Sequence, residues 1–193
     1  MASVKRQSLK QKIIFLDRDG TIISENKDDF RLRSAEDVDL FPNVGETLHY
    51  LQSELKYKLV LVSNQDGLGS EDYPVETFEL VQSTLEKKLK QFDVSFDSIH
   101  IDNHFAFENH PNRKPAIGML KKYFKESPNL DECYVIGDSL VDMKLSQNLK
   151  VKGIYFHAQT DERDQMSESL KKQIVLYTKN WKNILDFFKS KNI

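Results

Sequence analysis

Apolar residues in this chain come in short runs, separated by stretches with helical spacing. Ile13-Ile14-Phe15-Leu16, Lys58 to Val62, Phe96 to Ile101, Cys133 to Ile136 and Val151 to Phe156 each read as a buried strand, and Ile174 to Tyr177 as a last edge strand. Between them, Val44, Leu48, Leu51 and Leu55 recur every three to four residues behind Asn43, a candidate N-cap. Phe78, Val81, Leu85 and Leu89 do the same within 75–92. Pro115 suits the first turn of a helix running to about Glu126. Another helix follows Ser139 to about Asn148, and a closing one spans Trp181 to Phe188. Strands alternating with helices predict right-handed crossovers and a mainly parallel sheet with helices on both faces. The expected class is α/β, a three-layer Rossmann-like core. Residues 22–40 keep no period and read as a flap after the first strand, with a short hairpin. Residues 1–11 read as a flexible basic start.

Size and charge narrow the options. The 193 residues suffice for one α/β domain, and the expectation is a single domain over 1–193. A net charge of -2 gives no strong pull toward nucleic acid or an acidic membrane. The one cysteine, Cys133, lies in an apolar run and reads as a buried structural thiol. No stretch reaches membrane-spanning length and the N-terminus lacks a signal-peptide core, so a cytoplasmic location is expected.

The first strand ends in Asp17-Arg18-Asp19-Gly20-Thr21. Residues two apart share a face of a strand, so two carboxylates meet one pocket and call for a cation. Oxygen donors beside a hard cation point to Mg²⁺ and a phosphorylated substrate. Three further pieces stand after later strands or loops: Ser63-Asn64, Lys114, and Asp138 with Asp142. In such folds ligands bind beyond the carboxyl ends of the strands. Asp17 suits in-line attack on phosphorus. Asp19 suits protonation of the leaving alcohol and deprotonation of water. Mg²⁺ would be held by Asp17, the Asp19 backbone carbonyl and Asp138. Ser63 and the Asn64 backbone would donate to phosphoryl oxygens, and Lys114 would neutralise them, with Asp142 in support. Glu25 is a candidate carboxylate for a substrate ammonium group, and Asp66 offers another at the pocket mouth.

These residues resemble the haloacid dehalogenase (HAD) superfamily of phosphatases. Asp17 to Thr21 matches its first motif, Ser63 its second, Lys114 its third and Gly137-Asp138-Ser139-Leu140-Val141-Asp142 its fourth. Within it, Leu16 to Glu25, Ser63-Asn64-Gln65-Asp66-Gly67-Leu68-Gly69 and Arg113-Lys114-Pro115 are similar to the histidinol-phosphate phosphatase domain. That resemblance implies a core without a large cap domain. It also implies a Mg²⁺-dependent phosphomonoesterase with an aspartyl-phosphate intermediate, and phosphate binding by Ser63, Asn64, Arg113 and Lys114. The implied partner is a small phosphorylated metabolite, first of all L-histidinol phosphate, with no nucleic acid or membrane. Alternatives are a sugar-phosphate phosphatase such as one for heptose 1,7-bisphosphate, a polynucleotide 3′-phosphatase, or a non-catalytic scaffold.

One departure from the resemblance stands before Arg113. Both metabolite phosphatase groups place a Cys-x-His…Cys-x-Cys zinc loop there, whereas this chain has Asp102, His104, His110 and Asn112. No thiolate remains, so no structural Zn²⁺ is expected. Asp102, His104 and His110 could form a weaker N/O site. Otherwise Phe105 and Phe107 are expected to pack against the domain in place of a metal.

Overall fold

The computed structural model describes residues 11–25, 32–125 and 128–191. Six strands form one sheet: β1 (Ile13–Leu16), β2 (Lys58–Asn64), β3 (Ser98–Asp102), β4 (Tyr134–Gly137), β5 (Lys152–Phe156) and β6 (Ile174–Thr178). Their order is β3-β2-β1-β4-β5-β6, and every neighbouring pair is parallel. The helices are α1 (Val44–His49), continued by a π turn over Tyr50–Glu54, α2 (Val75–Lys90), α3 (Lys121–Lys125), α4 (Leu140–Leu149), α5 (Glu168–Gln173) and α6 (Trp181–Ser190).

The period of two sorts the strands between two cores. Ile14 and Leu16 join Leu59, Leu61 and Ile136 under α1, α2 and α6, with Leu48, Val81, Leu85 and Trp181. Ile13 and Phe15 join Val60, Val62 and Val135 on the other face under α3, α4 and α5, with Tyr123, Met143 and Leu170. A strand buried on both faces must be apolar throughout, which is why β1 reads Ile-Ile-Phe-Leu without alternation. Cys133 is fully buried.

Two local expectations change. Asn43 adopts a left-handed conformation and makes no side-chain cap; its carbonyl instead receives the Thr47 hydroxyl at 2.7 Å. No helix starts at Pro115, since Asn64 clamps the backbone just before it; a 3₁₀ turn over Gly118–Leu120 precedes α3. The end expected near Glu126 lies outside the described residues, as do 26–31 of the flap and 1–10 of the start. The base of the flap pairs as a hairpin would: Ser24 N–H donates to Asp39 O and Phe41 N–H to Ile22 O. Ile22, Ile23, Leu32 and Val38 are buried beneath it. Between β5 and β6 the chain forms a 3₁₀ turn (Arg163–Gln165) and α5. No described helix is long and apolar enough to cross a membrane.

The last helix is tied to the loop after β1. Trp181, fully buried on Phe156, donates its indole N–H to the Thr21 carbonyl at 2.9 Å. Trp181→Phe leaves that buried carbonyl unpaired and is expected to lower stability by about 1–3 kcal/mol. The urea midpoint reads the change; an unaltered midpoint would mean that the carbonyl needs no indole.

Candidate active site

Asp17 leaves β1 with its N–H on the Ile136 carbonyl (3.0 Å), so its side chain emerges between β1 and β4. The N–H groups of Thr21, Ile22 and Ile23 then all point at the Arg18 carbonyl, which turns the chain sharply. Gly20 has φ +74°, and a Cβ there would sit 2.3 Å from an Asp138 oxygen. Glycine at this position thus serves both the turn and the approach of Asp138. The Thr21 hydroxyl donates to Asp138 Oδ1 at 2.9 Å.

Lys114 enters from the far side. Its backbone is clamped by Asn64: Lys114 N–H donates to Asn64 Oδ1 (3.0 Å) and Asn64 Nδ2 to Lys114 O (3.1 Å). Its ammonium donates to Asp17 Oδ1 at 2.6 Å and Asp142 Oδ1 at 2.7 Å. Asp142 also closes a capping box with Ser139 at the start of α4. Gly137 lets β4 pass close by, since a Cβ there would meet Asp142 Cβ at 2.4 Å.

The site carries excess negative charge. A cavity of about 590 Å³ is lined by Asp17, Asp19, Glu25, Asp66, Asp138, Asp161 and Glu162, by Ser63, Asn64, Gln65 and Tyr73, and by Lys114, its one cationic side chain among the described residues. Burial pushes the Asp17 carboxyl up to about 6, against the pull of Lys114 and with a further push from Asp142. Burial and then Asp17 raise Asp138 well above the usual carboxylate range. Burial, then Asp19 and Asp17, raise Glu25 to about 7. Burial alone would lower Lys114, yet Asp142 and Asp17 outweigh it and hold it above its ordinary value. Asp17, Asp138 and Asp142 offer oxygens within 4.8 Å of one another. Asp17 and Asp142 share the Lys114 ammonium, so three carboxylates face one lysine, and Asp138 has no cationic partner among the described residues. A hard divalent cation fits this all-oxygen, anion-rich set.

Other expected residues fall into three groups. Ser63 and Asn64 line the cavity, and the Asn64 side chain serves as the clamp on Lys114. Glu25 lines it too: its backbone is held by Gln159 (3.0 and 3.2 Å), while its carboxylate has no hydrogen-bond or ion-pair partner among the described residues. Arg113, expected at the phosphate, pairs with Asp66 and donates to the His104 carbonyl (2.7 Å), so Asp66 is not a free carboxylate at the mouth. Asp102, His104 and His110 do converge within 4.8 Å. His104 Nδ1 lies 2.7 Å from the buried Asp102, and the two imidazoles stack at 3.5 Å. This set is one donor short of a four-ligand structural zinc site and has no thiolate. Phe105 and Phe107 stack on each other; the Phe105 ring packs against Gly67, where a Cβ would meet it at 2.9 Å, whereas Phe107 is 78% exposed.

Comparison with known proteins bears on this arrangement. Residues 12–161 match the family described as polynucleotide kinase 3 phosphatase. The chain belongs to that phosphatase family. It is 37% identical to the histidine biosynthesis bifunctional protein HisB of Spirosoma linguale, over 93% of this chain and 49% of the relative. It is 40% identical to HisB of Campylobacter jejuni subsp. doylei, over 78% of this chain and 43% of the relative. The chain spans about half the length of the curated relatives it matches. The fold is that of the D,D-heptose 1,7-bisphosphate phosphatase of B. bronchiseptica, whose crystal structure holds magnesium and phosphate. That protein aligns with a TM-score of 0.79 at 19% identity, over 94% of this chain and 99% of its own. HAD-type phosphatases thus supply the architecture that the first motif implied.

Within this family frame, the sequence reading passed over several side chains. Arg18, only 1% exposed, grips both Asp19 oxygens (2.9–3.1 Å) and lies 4.9 Å over the Phe78 ring. Asp19 raises the affinity of the Arg18 guanidinium for its proton although burial opposes it. Gln65, Tyr73 and Thr21 also join the site. Gln65 had a legible signal: it stands two residues after Ser63 on extended chain, the spacing that puts Asp19 beside Asp17.

A folded-state carboxyl with a raised pKa favours the folded state below its unfolded value and loses that contribution as pH rises through the folded value. Asp17 (from 3.8 to about 6), Glu25 (from 4.5 to about 7) and Asp138 share this sign. In chelator, the carboxylate contribution to stability is expected to fall from pH 4 to 7. Asp138→Asn should shrink that fall and also abolish stabilisation by Mg²⁺ at pH 7.5. Thermal melts of both proteins with chelator or Mg²⁺ measure this; equal Mg²⁺ shifts would remove Asp138 from the cation site.

Proposed function

We propose that the protein is a Mg²⁺-dependent phosphomonoesterase that works through an aspartyl-phosphate on Asp17 and takes L-histidinol phosphate. The observation that carries the chemistry is the Asp17 carboxylate held by a buried lysine at 2.6 Å in a cavity shared with Asp19, Ser63 and Asp138. Asp17 attacks phosphorus, the ester P–O bond breaks, and Asp19 gives its proton to the leaving alkoxide. Asp19 then takes a proton from water as that water attacks phosphorus; the Asp17–phosphorus bond breaks and phosphate leaves. Ser63 and Lys114 meet the phosphoryl oxygens. Mg²⁺, held by Asp17, Asp138 and the Asp19 carbonyl, would supply charge neutralisation.

The substrate assignment is supported by the HisB relatives and by charge. After one phosphoryl group and one divalent cation, Glu25 remains an unpaired carboxylate at the wall. A substrate ammonium group satisfies it. A second phosphate or a polynucleotide backbone would face Glu25, Asp161 and Glu162 at a cost. Heptose bisphosphate stays the second reading, favoured by Arg113 beside the cavity, which a second phosphate could draw from Asp66.

Phosphate release from L-histidinol phosphate, heptose 1,7-bisphosphate and a 3′-phosphorylated oligonucleotide, with Mg²⁺ or chelator, tests the reading. Histidinol phosphate should be preferred, and Asp17→Asn should lower its turnover by about 10³-fold or more with the fold intact. Preference for either other ester would overturn the substrate; an active Asp17→Asn would overturn the nucleophile. Glu25→Gln is expected to raise KM for histidinol phosphate about tenfold with little change in kcat, because binding to the ammonium is the same before and during reaction. An unchanged KM would dismiss the Glu25 contact.

A further inference from the structure

A single amide joins the phosphate-binding hydroxyl to the second aspartate. Gln65 is 5% exposed and sits just beyond β2, its backbone N–H on the Asp102 carbonyl at 2.7 Å. Its Nε2 donates to Asp19 Oδ2 at 2.6 Å and to Ser63 Oγ at 2.8 Å. Its Oε1 accepts from the buried Tyr73 hydroxyl at 2.7 Å. An amide nitrogen has two hydrogens, and both are committed. Turning the amide over would set Oε1 against the Asp19 carboxylate and Nε2 against the tyrosine, so the neighbours fix its orientation.

We infer that Gln65 is a positioning residue that aims the Ser63 hydroxyl at the phosphoryl group and fixes the plane of the Asp19 carboxylate. A serine hydroxyl has one hydrogen and two lone pairs. Gln65 fills a lone pair of Ser63, which leaves the hydrogen available to the cavity that Ser63 lines. A hydroxyl so restrained enters a hydrogen bond to an anion without first choosing among rotamers. At Asp19, Arg18 grips both oxygens from one side, and Gln65 adds a second direction of restraint on Oδ2. Two directions define the carboxylate plane where one leaves it free to swing. Gln65 touches neither ester nor metal in this scheme; it acts through Ser63 and Asp19. Tyr73 holds the amide and stands one step further out.

The inference rests on the reading that Ser63 meets the phosphoryl group, and the test separates the two. Inorganic phosphate is titrated calorimetrically into the Mg²⁺-loaded wild type, Ser63→Ala, Gln65→Leu and the double variant, and kcat is measured on the ester that wild type prefers. Gln65→Leu should weaken phosphate binding about tenfold, the scale of a hydrogen bond to an anion. In the Ser63→Ala background the same substitution should cost less than twofold, because its route is already removed. The kcat loss should likewise be smaller in an Asp19→Asn background than in wild type. Should Gln65→Leu not fold, Tyr73→Phe leaves the amide present but unanchored and should weaken phosphate binding about threefold. Equal fold-losses with and without Ser63, or unchanged phosphate affinity in a folded Gln65→Leu, overturn the inference. Weaker binding in Gln65→Leu but not in Ser63→Ala overturns the Ser63 contact, and the inference with it. Failure of the histidinol-phosphate assignment alone leaves every one of these comparisons in force.

Discussion

The Lys114 ammonium, 4% exposed, lies within 2.7 Å of two carboxylates, and the chain around it is built to keep it there. Taking three charges out of water is costly, and the attraction among them must outweigh that loss. Removing one partner from such a buried group costs about 3–5 kcal/mol because it strands the others. The consequences reach outward. Asn64 must grip the Lys114 backbone, so β2 extends to residue 64 rather than stopping at Val62. Asp142 must reach Lys114 while capping α4, so Gly137 must leave room for it. With one lysine set against Asp17, Asp138 and Asp142, net negative charge persists among these groups, and this is the charge that a divalent cation would balance.

How much of this was legible follows from the range of the interactions. The strands, their parallel pairing and the gathering of Asp17, Asp19, Ser63, Lys114 and Asp138 were readable because apolar runs and strand-end motifs are local signals with one consistent topology. What was misread depends on neighbours distant in sequence. Pro115 fits a helix start by itself, but the Asn64 clamp 50 residues away fixes the chain just before it. Likewise Arg113 gives no local sign of its partner Asp66, 47 residues earlier. Asn43 has the right side chain for a cap, yet its backbone is left-handed. Of Phe105 and Phe107, both expected to pack against the domain, Phe105 lies on Gly67 of the loop after β2, while Phe107 stays exposed and stacks on Phe105.

Specificity and catalysis draw on different parts of the same cavity. At the reacting end, Lys114 and the Thr21 hydroxyl stand against Asp17, Asp138 and Asp142, and a divalent cation would complete the balance. The outer wall differs. Asp161 is held by Arg163, Glu162 accepts the Leu140 N–H, and Asp66 pairs with Arg113, whereas Glu25 keeps its carboxylate unpaired among the described residues. Charge at the outer wall acts on whatever the phosphate is attached to. A loop change can therefore alter the preferred ester while the aspartate chemistry stays as it is, which is how one fold serves metabolite esters of different charge.

The altered loop also reaches the reacting end by a route that needs no metal. The β2–β3 register sets Asn64 against Asp102, and the next N–H, that of Gln65, falls on the Asp102 carbonyl. The side chain of the same Asp102 is the buried anchor of His104, while the His104 carbonyl receives Arg113, the neighbour of Lys114. One aspartate thus orders the loop with its carboxylate and seats Gln65 with its backbone. The buried Asp102 carboxylate, bonded to His104, and the two stacked imidazoles order the loop next to Ser63 and Lys114.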